Sequence, residues 1–294
     1  MKKKKKFIAI VSNDAGGAEL LSSYVKNNPT KNYLFVLSGP AKKIFKEKIK
    51  KIKIINLKKA VLLSYKLICG TSYVSKLEIE AIKQFNIRGK QTTAILDHWT
   101  NYEKRFFHKR NIILPDAIWV FDSYAKQIIQ KIFPNLKVIL KKNFFLKDLK
   151  QKIKKKNYIN MKFLNILYVS EPVSEFIKMK IKNYKNSIEY KTFNYFIKNI
   201  KSITKTDFNI TFRKHPAEHT KKYFWIKKEF KNINFSKNKF LLNDINQSDI
   251  VVGRQTMALV LSLLAGRKAI SCIPPNEERC VLPYKRIKEL RDMV

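Results

Sequence analysis

The chain has 294 residues, 45% apolar and 12% aromatic: enough for one large core or two of about 150 residues each, and too apolar for a disordered polymer. It carries 62 Lys plus Arg against 22 Asp plus Glu, a net charge of +40. The excess runs from end to end beside abundant Ile, Asn, Phe and Tyr, the joint bias of an A/T-rich coding sequence. That sets nucleic acid aside as the expected partner, and leaves a general attraction to anionic substrates and anionic membrane surfaces. Three cysteines (Cys69, Cys272, Cys280) without C-x-x-C spacing argue against a disulfide framework or a zinc site and suit a reducing cytoplasm. The basic start is followed by only a short apolar run, Phe7 to Val11, too short for a signal peptide. No run approaches the ~20 residues that span a bilayer. The expected place is the cytoplasm, with peripheral contact at the inner face of the plasma membrane.

Phe7 to Val11 reads as a strand buried on both faces, as in a parallel sheet. Asp14-Ala-Gly-Gly17 then makes a turn into a helix over Ala18 to Lys26. This is a strand–turn–helix unit without the G-x-G-x-x-G fingerprint of dinucleotide sites. Asp14 can cap that helix or hold a ligand hydroxyl, and Glu19, a turn later, is similarly ambiguous. Tyr33 to Leu37, Lys53 to Asn56, Leu67 to Cys69 and Thr92 to Leu96 are further predicted strands, with helices after Ser38 and over Lys76 to Phe85. The strand ending at Leu96 delivers the densest polar and aromatic cluster of the chain, Asp97-His98-Trp99-Thr100-Asn101-Tyr102-Glu103-Lys104-Arg105. Trp99 and Tyr102 can stack on a sugar ring, and Asp97 with His98 can do proton work. Asn101 and Arg105 complete the polar loop. A strand within 114–122, a helix over Tyr124 to Phe133 and a strand over Val138 to Leu140 close this half.

The lysine-rich stretch 147–162 reads as a linker, giving domains over 1–146 and 163–294. Phe163 to Val169 opens the second half as Phe7 to Val11 opened the first. A helix over Lys191 to Ile203 precedes the strand Phe208 to Phe212, which ends in Arg213-Lys214-His215-Pro216-Ala217-Glu218. Two cations and an imidazole at a strand end form an anion clamp, and Glu218 can accept from sugar hydroxyls. Short segments at Ile233 to Phe235 and Phe240 to Asn246 lead to a last unit: strand Ile250 to Val252, a turn at Gly253, a helix over Thr256 to Ala265 stopped by Gly266, and a strand over Lys268 to Ile273. Arg254, Gln255 and Thr256 sit at the helix start, where backbone N–H groups and the dipole favour an anion such as a nucleotide-sugar diphosphate. There is no metal-ligand spacing, P-loop or G-x-S-x-G.

Taken together, the glycine-bearing first loop, the Arg-Lys-His-Pro-x-Glu turn and the late D-I-V-V-G-x-x-T-x-x-L…G unit resemble the GT-B superfamily of glycosyltransferases and its UDP-N-acetylglucosamine 2-epimerase relatives. The resemblance is greatest to bacterial enzymes of surface-polysaccharide and lipopolysaccharide assembly, and it spans nearly the whole chain. It implies an α/β fold of two Rossmann-like, doubly wound parallel-sheet domains facing a cleft. It further implies a nucleotide-sugar donor held by His215, Glu218, Gly253, Gln255 and Thr256, with Gly16 and Gly17 across the cleft. A glycan or glycolipid acceptor on the N-terminal side, and no cofactor or metal, complete the expectation. Asp97, His98 or Asp14 would be the general base, and Arg213, Lys214 and Arg254 would stabilise the departing phosphate. One position departs from the pattern: Leu261 stands where such enzymes often place a ribose-binding Glu. An epimerase on the same fold, and a non-enzymatic basic protein binding nucleic acid or anionic lipid, are the alternatives.

Overall fold

The computed structural model describes residues 6–49, 51–73, 75–154, 163–177, 179–216, 218–230 and 232–294. The chain divides into two compact units, Met1–Asp148 and Leu149–Val294. The expected linker begins inside a helix that ends at Lys150, and its last part, 155–162, lies outside the described residues, as does Ala217 of the Arg213–Glu218 turn.

Unit 1 runs β1 (Phe7–Ser12), α1 (Ala15–Lys26), β2 (Asn32–Leu37), α2 (Gly39–Lys48), α3 (Leu57–Leu63), β3 (Ser64–Cys69), α4 (Leu77–Ile87), β4 (Gln91–Ile95), α5 (Tyr102–Phe106), β5 (Phe107–His108), β6 (Asn111–Ile112), β7 (Ala117–Val120), α6 (Ser123–Ile132), β8 (Lys137–Leu140) and α7 (Phe144–Lys150). Six strands form one parallel sheet in the order β2-β1-β3-β4-β7-β8, and β5 with β6 makes a separate antiparallel ribbon. The continuous apolar runs explain the arrangement: β1 buries Ile8 to Ser12 on both faces, which only a sheet covered by helices on both sides permits. Lys53 to Asn56 does not extend as a strand; Ile54 makes a single bridge to Phe35. The following Leu57–Leu63, capped by the Asn56 side chain on the Lys59 amide, is a helix that the strand-like composition of the segment concealed.

Unit 2 runs β9 (Phe163–Val169), α8 (Val173–Phe176), α9 (Ile188–Lys198), α10 (Ile200–Ile203), β10 (Asp207–Arg213), α11 (Phe224–Glu229), β11 (Ile233–Phe235), α12 (Leu241–Gln247), β12 (Ile250–Gly253), α13 (Met257–Leu264), β13 (Lys268–Ser271) and β14 (Ile287–Glu289). Its sheet is also parallel, in the order β11-β10-β9-β12-β13-β14. The core is aromatic: Tyr168, Phe193 and Phe212 pack ring to ring at 4.7 to 5.6 Å, and Trp225 closes on Phe193. α13 ends as expected at Gly266, whose φ of +71° is a left-handed conformation that glycine adopts without a Cβ penalty.

In each unit the chain winds outward over its first strands, then returns to the other side of the opening strand. The order therefore reverses between β1 and β3 in unit 1, and between β9 and β12 in unit 2. Loops leaving the carboxyl ends of those strands diverge and leave a crevice, where ligands bind in open α/β sheets.

Candidate functional site

In unit 1 the crevice is bordered by the β1–α1 turn with the first turn of α1 (13–17), the loop 70–72 and the turn after β4. Gly17 packs on Gly70, where a Cβ added to Gly17 would stand 3.3 Å from the Gly70 Cα. Gly16 is stricter: a Cβ there would stand 2.0 Å from Asp97 Oδ2, so the start of α1 and the Asp97 carboxylate come together only because residue 16 has no side chain. Asp97 accepts from Arg105 Nη1 at 2.7 Å, and the same nitrogen reaches Thr71 Oγ1 at 3.0 Å. Arg105 Nε donates to the Thr100 carbonyl, so one guanidinium ties the β3 loop to both ends of the turn after β4. His98 lies in that turn with Nδ1 3.1 Å from Thr100 Oγ1.

The remaining candidates of this unit have other duties. Trp99 is 8% exposed, and its indole N–H reaches both Asp122 oxygens at 3.1 Å. Tyr102 is 2% exposed, and burial pushes its phenol well above its usual range. Neither presents a ring face on which a sugar could stack. The alternation of polar and aromatic residues that suggested stacking reflects a short helix, α5, pressed into the core at Tyr102 and Phe106. Asn101 is the bend before it, at φ 57°, ψ 31°, a left-handed conformation that asparagine tolerates. Glu19 pairs with Lys48 on α2, and Asp14 occupies the N-cap position of α1 without bonding its amides, accepting instead from Asn13 Nδ2 at 2.6 Å.

One residue beneath this crevice escaped the sequence reading. Glu78 opens α4, is 2% exposed, and accepts the Asn13 amide at 2.6 Å through Oε1, while Oε2 is buried with no hydrogen-bond partner among the described residues. Burial raises its pKa to about 7; the Asn13 bond opposes the rise and the charge of Asp14 adds to it. The signal was a carboxylate sharing the apolar face of α4 with Ile82 and Phe85.

In unit 2, Ser170 at the end of β9 donates to Glu218 Oε2 at 2.5 Å and accepts the His215 amide at 2.9 Å. Glu218 also accepts from Tyr223 Oη at 2.5 Å and Lys222 Nζ at 2.8 Å. Burial works to raise its pKa, and these donors more than offset that and hold it low. Glu218 is thus the hub that fixes the His215 turn rather than an open acceptor for sugar hydroxyls. Lys222 stands among three carboxylates, Glu175, Glu189 and Glu218, at 2.6, 3.1 and 2.8 Å, so its ammonium fills the one described acidic cluster with metal-like spacing. Burial lowers the pKa of the His215 ring, partly opposed by Glu218.

The two arginines expected to meet phosphate are engaged within the fold. Arg213 pairs with Asp244 and donates to the Asn238 carbonyl at 2.8 Å, anchoring the end of β10 to α12. Arg254 is 7% exposed and donates to Glu277 Oε2 and Thr192 Oγ1, both at 2.6 Å. Their partners lie 31 and 23 residues away, beyond any local sequence pattern. Gly253 has no room for a side chain: a Cβ would stand 3.0 Å from both Thr256 Cγ2 and the Val169 carbonyl oxygen. Thr256 caps α13 through Oγ1 to the Ala258 amide, and the Gln255 amide donates to Glu171 Oε2 at 3.2 Å. Glu171, at the end of β9, is a second carboxyl that the sequence reading passed over, and burial raises its pKa. Leu261 is buried in α13. The loops at this edge of unit 2 thus carry Gln255 tied to Glu171 and, at the end of the neighbouring strand β10, His215 tied to Glu218.

No protein-family model and no curated protein sequence matches the chain. Among solved structures, it is similar to a protein assigned as a UDP-N-acetylglucosamine 2-epimerase from Listeria monocytogenes, with a TM-score of 0.60 at 10% identity over 91% of this chain and 79% of that one. MurG of Acinetobacter baumannii is similar at a TM-score of 0.49 and 13% identity, over 92% of this chain and 80% of that one. The wall teichoic acid polymerase TagF is similar at 0.47 and 10%, over 92% and 70%. The first of these likenesses, with the two sheet orders above, establishes the expected fold: two Rossmann-like parallel-sheet units of the GT-B type.

Proposed function

We propose that the chain is a glycosyltransferase that moves a sugar from a nucleotide-sugar donor to a surface glycan or glycolipid, at the cytoplasmic face of the membrane and without a metal or other cofactor. The observation that supports this reading is the place of the titratable groups. In both units they gather at the carboxyl edge where strand order reverses, and the fold is one used by proteins named for nucleotide-sugar and glycan chemistry. In this reading unit 2 holds the donor. With Arg213 and Arg254 committed to Asp244 and Glu277, the phosphates rely on the dipole of α13, on Gln255 and on His215. Unit 1 supplies the base that deprotonates the acceptor hydroxyl. His98 is the first candidate, its ring set by Thr100, and Asp14 the second, while Asp97 is engaged with Arg105.

The test is a thermal-shift panel of UDP-, GDP-, CMP- and TDP-linked sugars, since a donor that binds only the native state raises its melting temperature. Transfer assays with the stabilising donor follow. His98→Ala and His215→Ala are each expected to lower kcat/KM by about a hundredfold or more. If both folded variants and Asp97→Asn keep full transfer activity, the reading fails. A second reading, an epimerase acting on the sugar nucleotide alone, has support from the assignment of the Listeria protein. Incubation with UDP-N-acetylglucosamine and no acceptor, followed by NMR of the sugar, separates them: a new epimer favours the second, unchanged donor the first.

A further inference from the structure

We propose that unit 1 carries a second ligand site: a groove of about 300 Å3 on the α1 face of its sheet that takes a single-chain anionic amphiphile, the phosphate monoester of an aliphatic alcohol. None of the candidate site residues lines this groove. α7, only seven residues long, borders it without burying any side chain completely: Phe144 lines the groove and Phe145 packs on the core cluster that holds Trp119. The floor and walls are Leu20 and Leu21 of α1, Ile95 of β4, Trp119 and Phe121 at β7, and Phe144 of α7.

The charged residues of the rim are all basic, with Asn28 and Tyr24 beside them. Lys31, Lys141 and Lys142 line the groove, Lys66 reaches the same Trp119 ring, and no Asp or Glu is among the lining residues. Among the described residues none of these four lysines forms an ion pair. They stand near rings instead: Lys141 is 5.0 Å and Lys66 6.0 Å from the Trp119 centroid, and Lys31 is 6.0 Å from that of Tyr24, whose hydroxyl it also reaches at 3.4 Å. Four ammonium groups without a counter-ion beside an apolar floor repel one another, and an anion placed among them relieves that cost. In agreement, burial and then the charges of Lys31 and Lys141 lower the pKa of Lys66.

The same contacts select the rest of the ligand. Ammonium groups already stand over Trp119, and its edge meets Tyr24 in a T-shaped contact at 5.1 Å. A flat heteroaromatic ring therefore has no face to stack on. The surface left is aliphatic and ring-edge, which an alkyl chain covers. A volume of about 300 Å3 is at the small end of ligand pockets, which limits the occupant to one alkyl chain of medium length.

The test is calorimetric titration of the full chain with decyl phosphate below its micellar concentration, in 150 mM salt. One saturable site per chain is expected. Lys31→Met/Lys141→Met is expected to weaken it about tenfold or more, whereas Lys201→Met/Lys205→Met, two exposed lysines of unit 2, leaves it unchanged. Decanol and inorganic phosphate, each carrying half of the ligand, are both expected to bind at least tenfold more weakly. Absence of saturation, an equal loss in both double variants, or inorganic phosphate binding as tightly as decyl phosphate would overturn the proposal. This test is independent of whether the chain transfers sugars.

Discussion

Glu78 allows a quantitative check on the candidate site of unit 1. Its carboxyl is buried against the turn between β1 and α1, and its pKa is raised to about 7 against an ordinary glutamate value of 4.5. The native state therefore holds a proton that the unfolded chain releases between those two values. Stability contributed by the protonated carboxyl is complete below pH 4.5, falls as pH rises toward 7, and levels off above it. The full span is about 3 kcal/mol. Glu78→Gln removes the titration and keeps an acceptor for the Asn13 amide. It also places an amide N–H2 where Oε2 has no partner among the described residues, a cost of about 1–3 kcal/mol that is the same at every pH. The informative quantity is thus the change in the difference between the two proteins. Urea unfolding at pH 5 and pH 8 is expected to show Glu78→Gln gaining about 2–3 kcal/mol on the parent across that interval. Parallel stability curves for the two proteins would refute the reasoning, because they would mean that Glu78 is ionised in the native state at pH 5.

Gly16→Ala is expected to destabilise by about 1–3 kcal/mol, because the new methyl must drive Asp97 off Arg105. In an Asp97→Ala background the carboxylate clash is gone and only the 3.3 Å approach to the residue 97 Cβ remains, so the same change should cost at least about 1 kcal/mol less, and a double-mutant cycle by chemical denaturation reads that coupling. Lys222→Met leaves the buried Glu189 and Glu218, together with Glu175, without their cation and should cost about 3–5 kcal/mol at neutral pH. Since the pKa of Glu218 is held below the usual value in the parent, its contribution is lost as pH falls through that lowered range. The gap to the variant, followed by unfolding titrations, should then narrow in acid.

The parallel sheets were readable because β1, β4, β9 and β12 are short apolar runs set off by turn residues, a pattern that depends on neighbours in sequence. Elements whose existence depends on distant partners were not: Ile54 looks like a strand yet finds only one bridge, and β14 forms because β13 offers an edge. The same divide runs through the site. Asp97, His98 and His215 could be singled out because strand ends deliver them. Arg213 and Arg254 were assigned to a ligand because a basic strand end looks like an anion clamp, and only the folded chain shows Asp244 and Glu277 already there. Trp99 and Tyr102 failed as stacking platforms for a related reason: nothing in a nine-residue window distinguishes an aromatic side chain facing a ligand from one facing the core.

The two overlooked carboxyls point to one design constraint shared by the units. In unit 1 Glu78 accepts the amide of Asn13, in the loop that leaves β1; in unit 2 Glu171 accepts the amide of Gln255, in the loop that leaves β12. Each lies at the point of strand-order reversal, and in each burial raises the carboxyl pKa. Backbone N–H groups at such loops are the donors that an incoming phosphate would otherwise take. Here one donor per unit is answered by the protein's own side chain, which keeps the loop folded when no ligand is bound. An anionic ligand must therefore bind through the neighbouring groups or displace the carboxyl. Displacement is easiest when the carboxyl carries a proton, because no negative charge then opposes the phosphate. For the donor site proposed in unit 2, anion binding is expected to strengthen as pH falls toward the titration of Glu171, and protonation of His215 adds in the same direction. A ligand held only by surface lysines would show no such dependence, since those groups stay charged across the same range.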